Sequence, residues 1–288
     1  MKIGIGKYVA LMSLLPALTV AVIEICAAQE QPPQDQLPHY RIVNLGTLGG
    51  TSSSGNTINN VGVAMGTANL TGDIAGHATI WAFGIKQDLG TLGGETVNST
   101  VAWPNRNNHG EVAGISETSN IDPLGERFSC PVFFPLTGRS CVAFMWEQGL
   151  ITALPSLGGN NSVGAGINNR GQIVGWAENA VHDGTCDPPQ VLQFEAVIWG
   201  PRMGQIQQLP PYPGDLDTAA TAINNLGRLS AYPEYAATPS ARTVPNTPCS
   251  GKTEMQWILE ISAVPGGTLR PSSTIAAKSP ALLMSRAM

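Results

Sequence analysis

The sequence predicts an all-β fold, a β-propeller-like array of antiparallel β repeat units that is incomplete and ends in an irregular C-terminal tail. Three observations favour this fold. Short apolar runs ending in Trp recur along the chain, Asn- and Gly-rich turns separate them, and no long segment has the period of an amphipathic helix. Each unit contains three or four short strands and a fixed Trp, which is typical of a propeller blade. A β-sandwich or an open β-solenoid would also accommodate such units.

Each unit begins with a Leu- and Gly-rich segment, which we call the head. "LGTLGG" occurs at 45–50 and again at 89–94, "LPSLGG" follows at 154–159, and "LPPYPGD" begins a fourth unit at 209–215. Glycine permits a positive φ or the close approach of another backbone segment. We expect about three and a half repeat units within residues 40–227.

An Asn-Asn-x-Gly segment follows each head and precedes a short apolar run. We interpret it as a tight turn into a strand, because Asn tolerates the left-handed region and bonds to its own backbone. A ligand or ion site built from Asn is the alternative, but a ligand site would usually occur once, whereas every unit needs a turn. The turn residues are Asn59, Asn60, Gly62, Asn107, Asn108, Gly110, Asn168, Asn169, Gly171, Asn224, Asn225 and Gly227.

The runs "GHATIW", "CVAFMW" and "FEAVIW" predict strands that are buried on at least one face. Their final residues, Trp81, Trp146 and Trp199, are expected to fill the core between neighbouring units. An aromatic platform for sugar binding is the alternative interpretation of these three residues.

The combination of "DLGTLGG", "INNRGQIVG" and a "HA-x-x-W" strand resembles the extracellular repeat family named HAF after its His-Ala-Phe tripeptide. The tripeptide here is His77-Ala78-Thr79 in the first unit and Val142-Ala143-Phe144 in the second, so each copy departs from it by one residue. The resemblance covers residues 40–227. It implies a secreted repeat protein, mostly bacterial, and it provides no established catalytic residues.

The N-terminal segment has the layout of a secretory signal peptide: Lys2 and Lys7, then an apolar run, then small residues. We expect residues 1–28 to be the signal peptide, with cleavage near Ala28, and residues 29–39 to be a flexible lead-in rich in Gln and Pro. A membrane anchor is the alternative, but the interrupted apolar run is short for a helix that spans a bilayer. The predicted location is extracellular or periplasmic, without a stable membrane anchor.

The chain has five cysteines. In an oxidising compartment, Cys130 and Cys141 are expected to form a disulfide that closes a small loop, and two free thiols or a metal-binding pair are the alternatives. Cys186 has no obvious partner, because Cys249 lies in the irregular C-terminal tail.

The repeat pattern stops after Gly227, and residues 228–288 do not resemble the preceding units. Back-translation of this tail in a shifted frame, with permissive codon choices, restores "HAVLW", a fifth head and a fifth turn. We therefore predict that residues 228–288 are out of frame and poorly ordered. A disordered native tail is the alternative.

Charge and motifs limit the possible functions. The net charge of −5 and the absence of a basic stripe argue against nucleic acid as a partner. The sequence has no HExxH, GxSxG or phosphate loop, so we assign no catalytic residue, cofactor or metal ligand. Asp215 and Asp217 could hold Ca²⁺, but a loop with two solvated carboxylates is the simpler interpretation, and the same applies to Glu178 and to Asp183 with Asp187.

The most consistent function is a secreted binding or structural module, with an unknown extracellular ligand or protein as its partner. Loops on one face of such a scaffold would carry the function. The alternative is a secreted hydrolase or lyase on a β-propeller scaffold. Phe133 and Phe134, within the predicted disulfide loop, form either a contact patch or a buried pair under that loop.

Overall fold

The computed structural model describes residues 42–59, 61–126, 130–184, 186, 188–211, 216–233 and 257–260. Every strand of the described residues lies within Leu45–Met288. In the part of the chain that is described, strands and one 3-10 turn at Thr71–Asp73 are present and no α-helix is. The predicted signal peptide and lead-in lie outside the described residues.

The strands are short and follow one another along the chain. Their bounds are β1 Gly49–Ile58, β2 Ala64–Leu70, β3 Gly76–Ala82, β4 Ile85–Asp88, β5 Ser99–Thr100, β6 Val112–Ile121, β7 Arg139–Glu147, β8 Leu150–Ala153, β9 Gly158–Ile167, β10 Ile173–His182, β11 Leu192–Trp199, β12 Ile206–Gln208, β13 Thr218–Ile223, β14 Arg228–Pro233 and β15 Trp257–Glu260.

These strands form four antiparallel sheets, each of which follows the order of the chain. We call them repeat 1 (β1 to β4), repeat 2 (β5 to β8), repeat 3 (β9 to β12) and repeat 4 (β13 to β15). The all-β prediction is confirmed. No closed barrel or propeller is detected among the described residues, so the propeller geometry stays a prediction.

Two-residue turns connect the third and fourth strands of the first two repeats. Phe83-Gly84 joins β3 to β4 and Gln148-Gly149 joins β7 to β8, and all four residues have φ between 49° and 92°. Two consecutive positive φ values belong to the type I′ turn, whose twist matches that of the flanking strands. The fourth strand therefore returns directly alongside the third.

One glycine in the second strand of repeats 1, 2 and 3 allows the first strand to pass closely. A Cβ atom on Gly175 would overlap the carbonyl oxygen of Val163 in β9, where the β9–β10 register shifts. Only a residue without a side chain fits this approach. The corresponding contacts are those of Gly66 with Ser54 and of Gly114 with Thr100.

Neighbouring repeats are joined through the third strand. The fourth strand is short, so the beginning of the third strand has an open edge with backbone N–H groups that need acceptors. An Asn or Asp followed by Ser or Thr at the start of the next repeat accepts two of these bonds, and we call this pair the clamp. Between repeats 1 and 2, the N–H of Gly76 donates to Asn98 (3.0 Å) and that of Ala78 to Ser99 (2.8 Å). Between repeats 2 and 3, Cys141 donates to Asn161 (2.9 Å) and Ala143 to Ser162 (2.9 Å). Between repeats 3 and 4, Phe194 donates to Asp217 (2.6 Å) and Ala196 to Thr218 (2.9 Å).

The alanine of each third strand is held from both sides. While its N–H donates to the clamp, its carbonyl accepts the N–H of the leucine that begins the next head, at 2.9, 2.8 and 2.8 Å. Ala78, Ala143 and Ala196 are at most 1% exposed, so a larger side chain has no room there. This explains why the alanine recurs in the strand motif.

Apolar clusters fill the spaces between successive repeats. Met65 and Ile80 of repeat 1 pack with Val112 and Phe144 of repeat 2. Another cluster combines Ala143 of repeat 2 with residues of repeat 3, and a further one combines repeats 3 and 4. Each repeat therefore buries its faces against its neighbours, as expected of a stacked array.

Two segments of the predicted irregular tail form strands. Arg228–Pro233 is β14 and pairs with β13, and Trp257–Glu260 is β15 and pairs with β14. The rest of the tail lies outside the described residues.

We predict that Gly175→Ala destabilises the protein by about 1–3 kcal/mol, because the new methyl group overlaps the backbone of β9. Gly184→Ala is the control, since Gly184 has open space around it and should change stability by less than about 0.5 kcal/mol. Denaturant unfolding measures both, and equal stability of the two variants would contradict the close approach.

We predict that Ser162→Ala lowers the free energy of unfolding by about 1–3 kcal/mol, because the buried N–H of Ala143 loses its acceptor. Ser53→Ala is the matched control. Ser53 pairs with Ala68 as Ser162 pairs with Ala177, but it is exposed, so its loss should cost less than about 0.5 kcal/mol. A Ser162→Ala effect no larger than that of Ser53→Ala would show that the clamp does not stabilise the array.

Candidate functional site

The Asn-Asn-x-Gly segments lie between the first and second strands of each repeat. The backbone carbonyl of the first Asn of each turn accepts a hydrogen bond from the N–H of the turn glycine at 3.0–3.2 Å, and this glycine has a positive φ. The side-chain oxygen of Asn168 also accepts the N–H groups of Arg170 (2.9 Å) and Gln172 (3.1 Å). The same bonding pattern is found at Asn59, Asn107 and Asn224. Asn60 lies outside the described residues.

These turns also bond to one another, which the sequence did not reveal. The amide nitrogen of Asn107 donates to the carbonyl of Asn168 (3.0 Å), and the N–H of Asn108 donates to the side-chain oxygen of Asn169 (2.8 Å). The same two bonds run from Asn168 and Asn169 to Asn224 (3.1 Å) and Asn225 (2.8 Å). The asparagines therefore form a ladder across repeats 2, 3 and 4. The first and the second Asn of each of these turns both have a structural role.

The three tryptophans are buried at the ends of the third strands. Trp146 belongs to the cluster between repeats 1 and 2, Trp199 to the cluster between repeats 2 and 3, and Trp81 to a cluster within repeat 1. The indole N–H groups of Trp81 and Trp199 donate to the head of their own repeat, at Gly46 (3.3 Å) and Pro155 (2.8 Å). None of the three is exposed by more than 7%, which leaves no sugar-binding face.

The predicted disulfide is present. Cys130 and Cys141 are bonded, with their Cα atoms 5.3 Å apart. The pair lies in a cluster with Phe134 and Cys186, and Phe133 packs against it. Phe134 is buried, as expected if the pair lies under the disulfide loop, whereas Phe133 is half-buried. Trp103 contacts Phe133 edge-on, with ring centroids 5.4 Å apart.

Two insertions, residues 116–140 of repeat 2 and 177–192 of repeat 3, are locked together by Glu126. One oxygen of this buried carboxyl group accepts bonds from the side chain of Gln190 (3.0 Å) and from the N–H groups of Val191 (3.0 Å) and Leu192 (2.6 Å). Three bonds to one oxygen fix the two insertions relative to each other. They form one surface rather than two independent loops.

A second buried carboxyl group, Glu178, lies beside this contact. It accepts the N–H (2.9 Å) and the side-chain amide (3.0 Å) of Asn161, and Gln190 bonds to both Glu178 (3.3 Å) and Glu126. Burial raises the pKa of Glu178 to about 8, and the charge of Glu126 adds to this effect, while bonds from Gln190 and Asn161 oppose it. Burial likewise raises the pKa of Glu126.

Glu117 takes the same place in repeat 2 that Glu178 takes in repeat 3. Its carboxylate accepts the N–H (2.8 Å) and the side-chain amide (2.7 Å) of Asn98 and a short bond from Thr137. Glu117 and Glu178 therefore orient the clamp residue that bonds to the preceding repeat. Sequence reasoning missed Glu117. The signal was its position, because Glu117 follows the strand glycine Gly114 by three residues, as Glu178 follows Gly175.

The two insertions carry exposed apolar side chains. Five large apolar residues on them are between 38% and 64% exposed: Ile121, Leu124, Val132, Leu136 and Val181. Exposed apolar groups gathered on a polar surface are typical of a site that binds another molecule. We call these five residues the insertion surface.

Three acidic residues do not lie where the sequence suggested. Glu178, Asp183 and Asp217 were expected to be solvated, but all three are buried. Asp217 is buried because it is the clamp residue of repeat 4. Asp183, Cys186 and Asp217 bring three atoms of the metal-binding type within 4.8 Å of one another. Cys186 is disulfide-bonded, so its sulfur is not a thiolate and the three residues do not form a metal site. Asp215 and Asp187 lie outside the described residues.

Two of the histidines, His77 and His109, have structural contacts. His77 is buried and pairs with Asp88 at 2.9 Å, and its other ring nitrogen lies 3.2 Å from the carbonyl of Glu95. Burial acts to raise the pKa of Asp88, but the bonds from His77 and Gly90 and the charge of His77 lower it overall. His109 lies 3.1 Å from the carbonyl of Asn169 in the asparagine ladder.

A cleft between repeats 2 and 3 has a volume of about 130 Å³ and is lined by Glu111, Glu147, Trp199 and Arg202 among others. Typical small-molecule sites measure roughly 300–1,000 Å³, so this cleft is too small to be one.

No family model, curated protein or solved structure matches this chain.

We predict that the free energy of unfolding falls as pH rises from about 4.5 to about 8. The pKa of Glu178 is about 8 in the folded protein against an ordinary value of 4.5, so between these limits the folded state binds more protons than the unfolded state. Glu178→Gln cannot titrate and should show a shallower decline, which denaturant unfolding at a series of pH values measures.

Glu147→Gln, which removes a carboxylate of β7 outside this cluster, is the control and should keep the wild-type slope. Identical slopes for the wild type and Glu178→Gln would contradict a protonated Glu178.

Proposed function

We propose that this protein is a secreted repeat protein that acts as a binding or interaction module. In this proposal its repeats are propeller-like blades, and the insertion surface contacts an extracellular ligand or protein. The observation that carries the proposal is the combination of five exposed apolar side chains on the two insertions with the buried Glu126 contact that joins these insertions. A surface that is rigid before binding loses little conformational entropy when a partner docks.

The proposed location rests on three features. The first 28 residues have the layout of a signal peptide, and the Cys130–Cys141 disulfide is compatible with an oxidising compartment. Among the described residues, no helix has the length and apolar character required to cross a membrane.

A hydrolase or lyase is the second candidate, and one observation favours it. Glu126 and Glu178 are neighbouring carboxyl groups with raised pKa values, as in a general acid paired with a second carboxylate. Their burial weighs against it, because a substrate could not reach groups that are at most 6% exposed. Loss of polysaccharide hydrolysis in Glu178→Gln, with the fold intact, would favour the enzyme.

The binding proposal can be tested with a phage-displayed peptide library and a panel of extracellular polysaccharides as probes. We predict that probes selected on the full chain bind the double variant Val132→Ser/Leu136→Ser about tenfold more weakly or worse, because each apolar side chain that a partner buries contributes about 1.5–3 kcal/mol.

The matched control is Phe83→Ser/Ile85→Ser, which removes two exposed apolar residues of repeat 1 outside the insertions. It should retain binding. Equal binding by the insertion variant and the wild type would contradict the proposed surface.

A further inference from the structure

The connections between strands lie at two opposite ends of each repeat. Because neighbouring strands are antiparallel and follow chain order, the first-to-second and third-to-fourth connections share one end, which we call the turn end. The second-to-third connections, which include both insertions, lie at the other end.

The turn ends of repeats 1, 2 and 3 lie side by side. Ala82, at the end of β3, and Ile151 of β8 pack against one cluster that joins repeats 1 and 2. The asparagine ladder joins the turns of repeats 2 and 3, and the cleft between these repeats is lined by residues of both their third-to-fourth turns.

The third-to-fourth turns of these three repeats carry large apolar side chains in solvent. In repeat 1, Phe83 is 84% exposed and Ile85 is 70% exposed, while Leu150 of repeat 2 is 68% exposed and Met203 of repeat 3 is 55% exposed. Single exposed apolar residues are normal, but a group that recurs on three neighbouring turns is a feature of this surface. We call these four residues the apolar tips.

Phe83 is the apolar tip that the fold explains least. It occupies the first central position of a type I′ turn, with φ of 52°, where Asn, Asp and Gly are preferred. A bulky residue is rare in this left-handed region, and the exposed ring gains no burial that would offset the conformational cost. A phenylalanine kept at this position indicates a contact outside the chain.

The exposed charges beside the apolar tips of repeats 2 and 3 are positive. Arg170, in the Asn-Asn-x-Gly turn, and Arg202, in the third-to-fourth turn, are both exposed, and within the described ranges neither pairs with a carboxylate. The carboxylates Glu111 and Glu147 are also at this end, but both are half-buried and line the cleft. Exposed positive charge is therefore gathered at one end of a chain whose net charge is −5.

We propose that the turn end of repeats 1 to 3 docks reversibly on a membrane surface that carries anionic lipids. The apolar tips enter the boundary between headgroups and acyl chains, and Arg170 and Arg202 bind lipid phosphates. This inference does not depend on the insertion surface, which lies at the opposite end of the repeats.

The spacing of the apolar tips and the sign of the exposed charge favour a lipid surface over other partners. The cleft lies between the tips of repeats 2 and 3, because it is lined by Met203 and by Glu147, which pairs with Leu150. A fluid apolar layer accepts tips that stand on separate turns, whereas a folded protein would need a separate pocket for each of them. Nucleic acid offers phosphates to the arginines but no apolar layer to the tips.

Co-sedimentation of the full chain with lipid vesicles tests the proposal. We expect binding to vesicles of phosphatidylglycerol and phosphatidylcholine in equal parts, and binding about tenfold weaker or worse to phosphatidylcholine alone, because each arginine contributes attraction to an anionic surface. Added salt should weaken binding to the anionic vesicles. Free glycerol phosphate should not displace the protein, because it has the phosphate but lacks the acyl layer.

Two double variants separate the apolar and the charged contributions. Phe83→Ser/Ile85→Ser should weaken vesicle binding about tenfold or more, because two of the four side chains that leave water are lost. Arg170→Gln/Arg202→Gln should bind anionic vesicles no better than the wild type binds phosphatidylcholine alone. All four residues are exposed, so these changes leave the core intact. The control Val132→Ser/Leu136→Ser, on the insertion surface, should bind vesicles like the wild type.

Three results would overturn the proposal: no binding to anionic vesicles, binding that Phe83→Ser/Ile85→Ser leaves unchanged, or displacement by glycerol phosphate. Self-association of the free chain that Phe83→Ser/Ile85→Ser abolishes would assign the apolar tips to a second copy and would overturn it as well. None of these results bears on the binding role of the insertion surface, which Val132→Ser/Leu136→Ser tests with other probes.

Discussion

The architecture depends on the need to satisfy the open edge of each third strand. The fourth strand covers only the end of the third, which leaves two backbone N–H groups without a partner in their own sheet. The next repeat provides the acceptors through its clamp, at 2.6–3.0 Å. Since an unpaired buried N–H is costly, each repeat is complete only when its successor is in place.

Several features of the chain follow from this constraint. The recurring alanine is small because the clamp and the next head approach it from both sides. Glu117 and Glu178 are buried because they orient the clamp, and burial in turn raises the pKa of Glu178. Glu126 joins the two insertions, which carry the exposed apolar groups.

The sequence predicted the all-β class, the repeats and the disulfide, because strand periodicity, turn residues and cysteine spacing are local signals. It could not predict the clamp, because Asn98 and Ser99 bond to residues about twenty positions earlier and resemble ordinary polar loop residues. The burial of Asp217 was missed for the same reason. The recurring asparagines predicted only the turns. The bonds that Asn107 and Asn168 donate to the next repeat could not be predicted, because they join residues about sixty positions apart.

The most direct test is native-state hydrogen exchange of the Ala78, Ala143 and Ala196 amides. The account predicts that all three exchange as slowly as amides in the centre of the sheets, because each donates to a buried hydroxyl of the next repeat. Exchange at the rate of an exposed loop would mean that the third-strand edge is open to water, and the clamp would not be what joins the repeats.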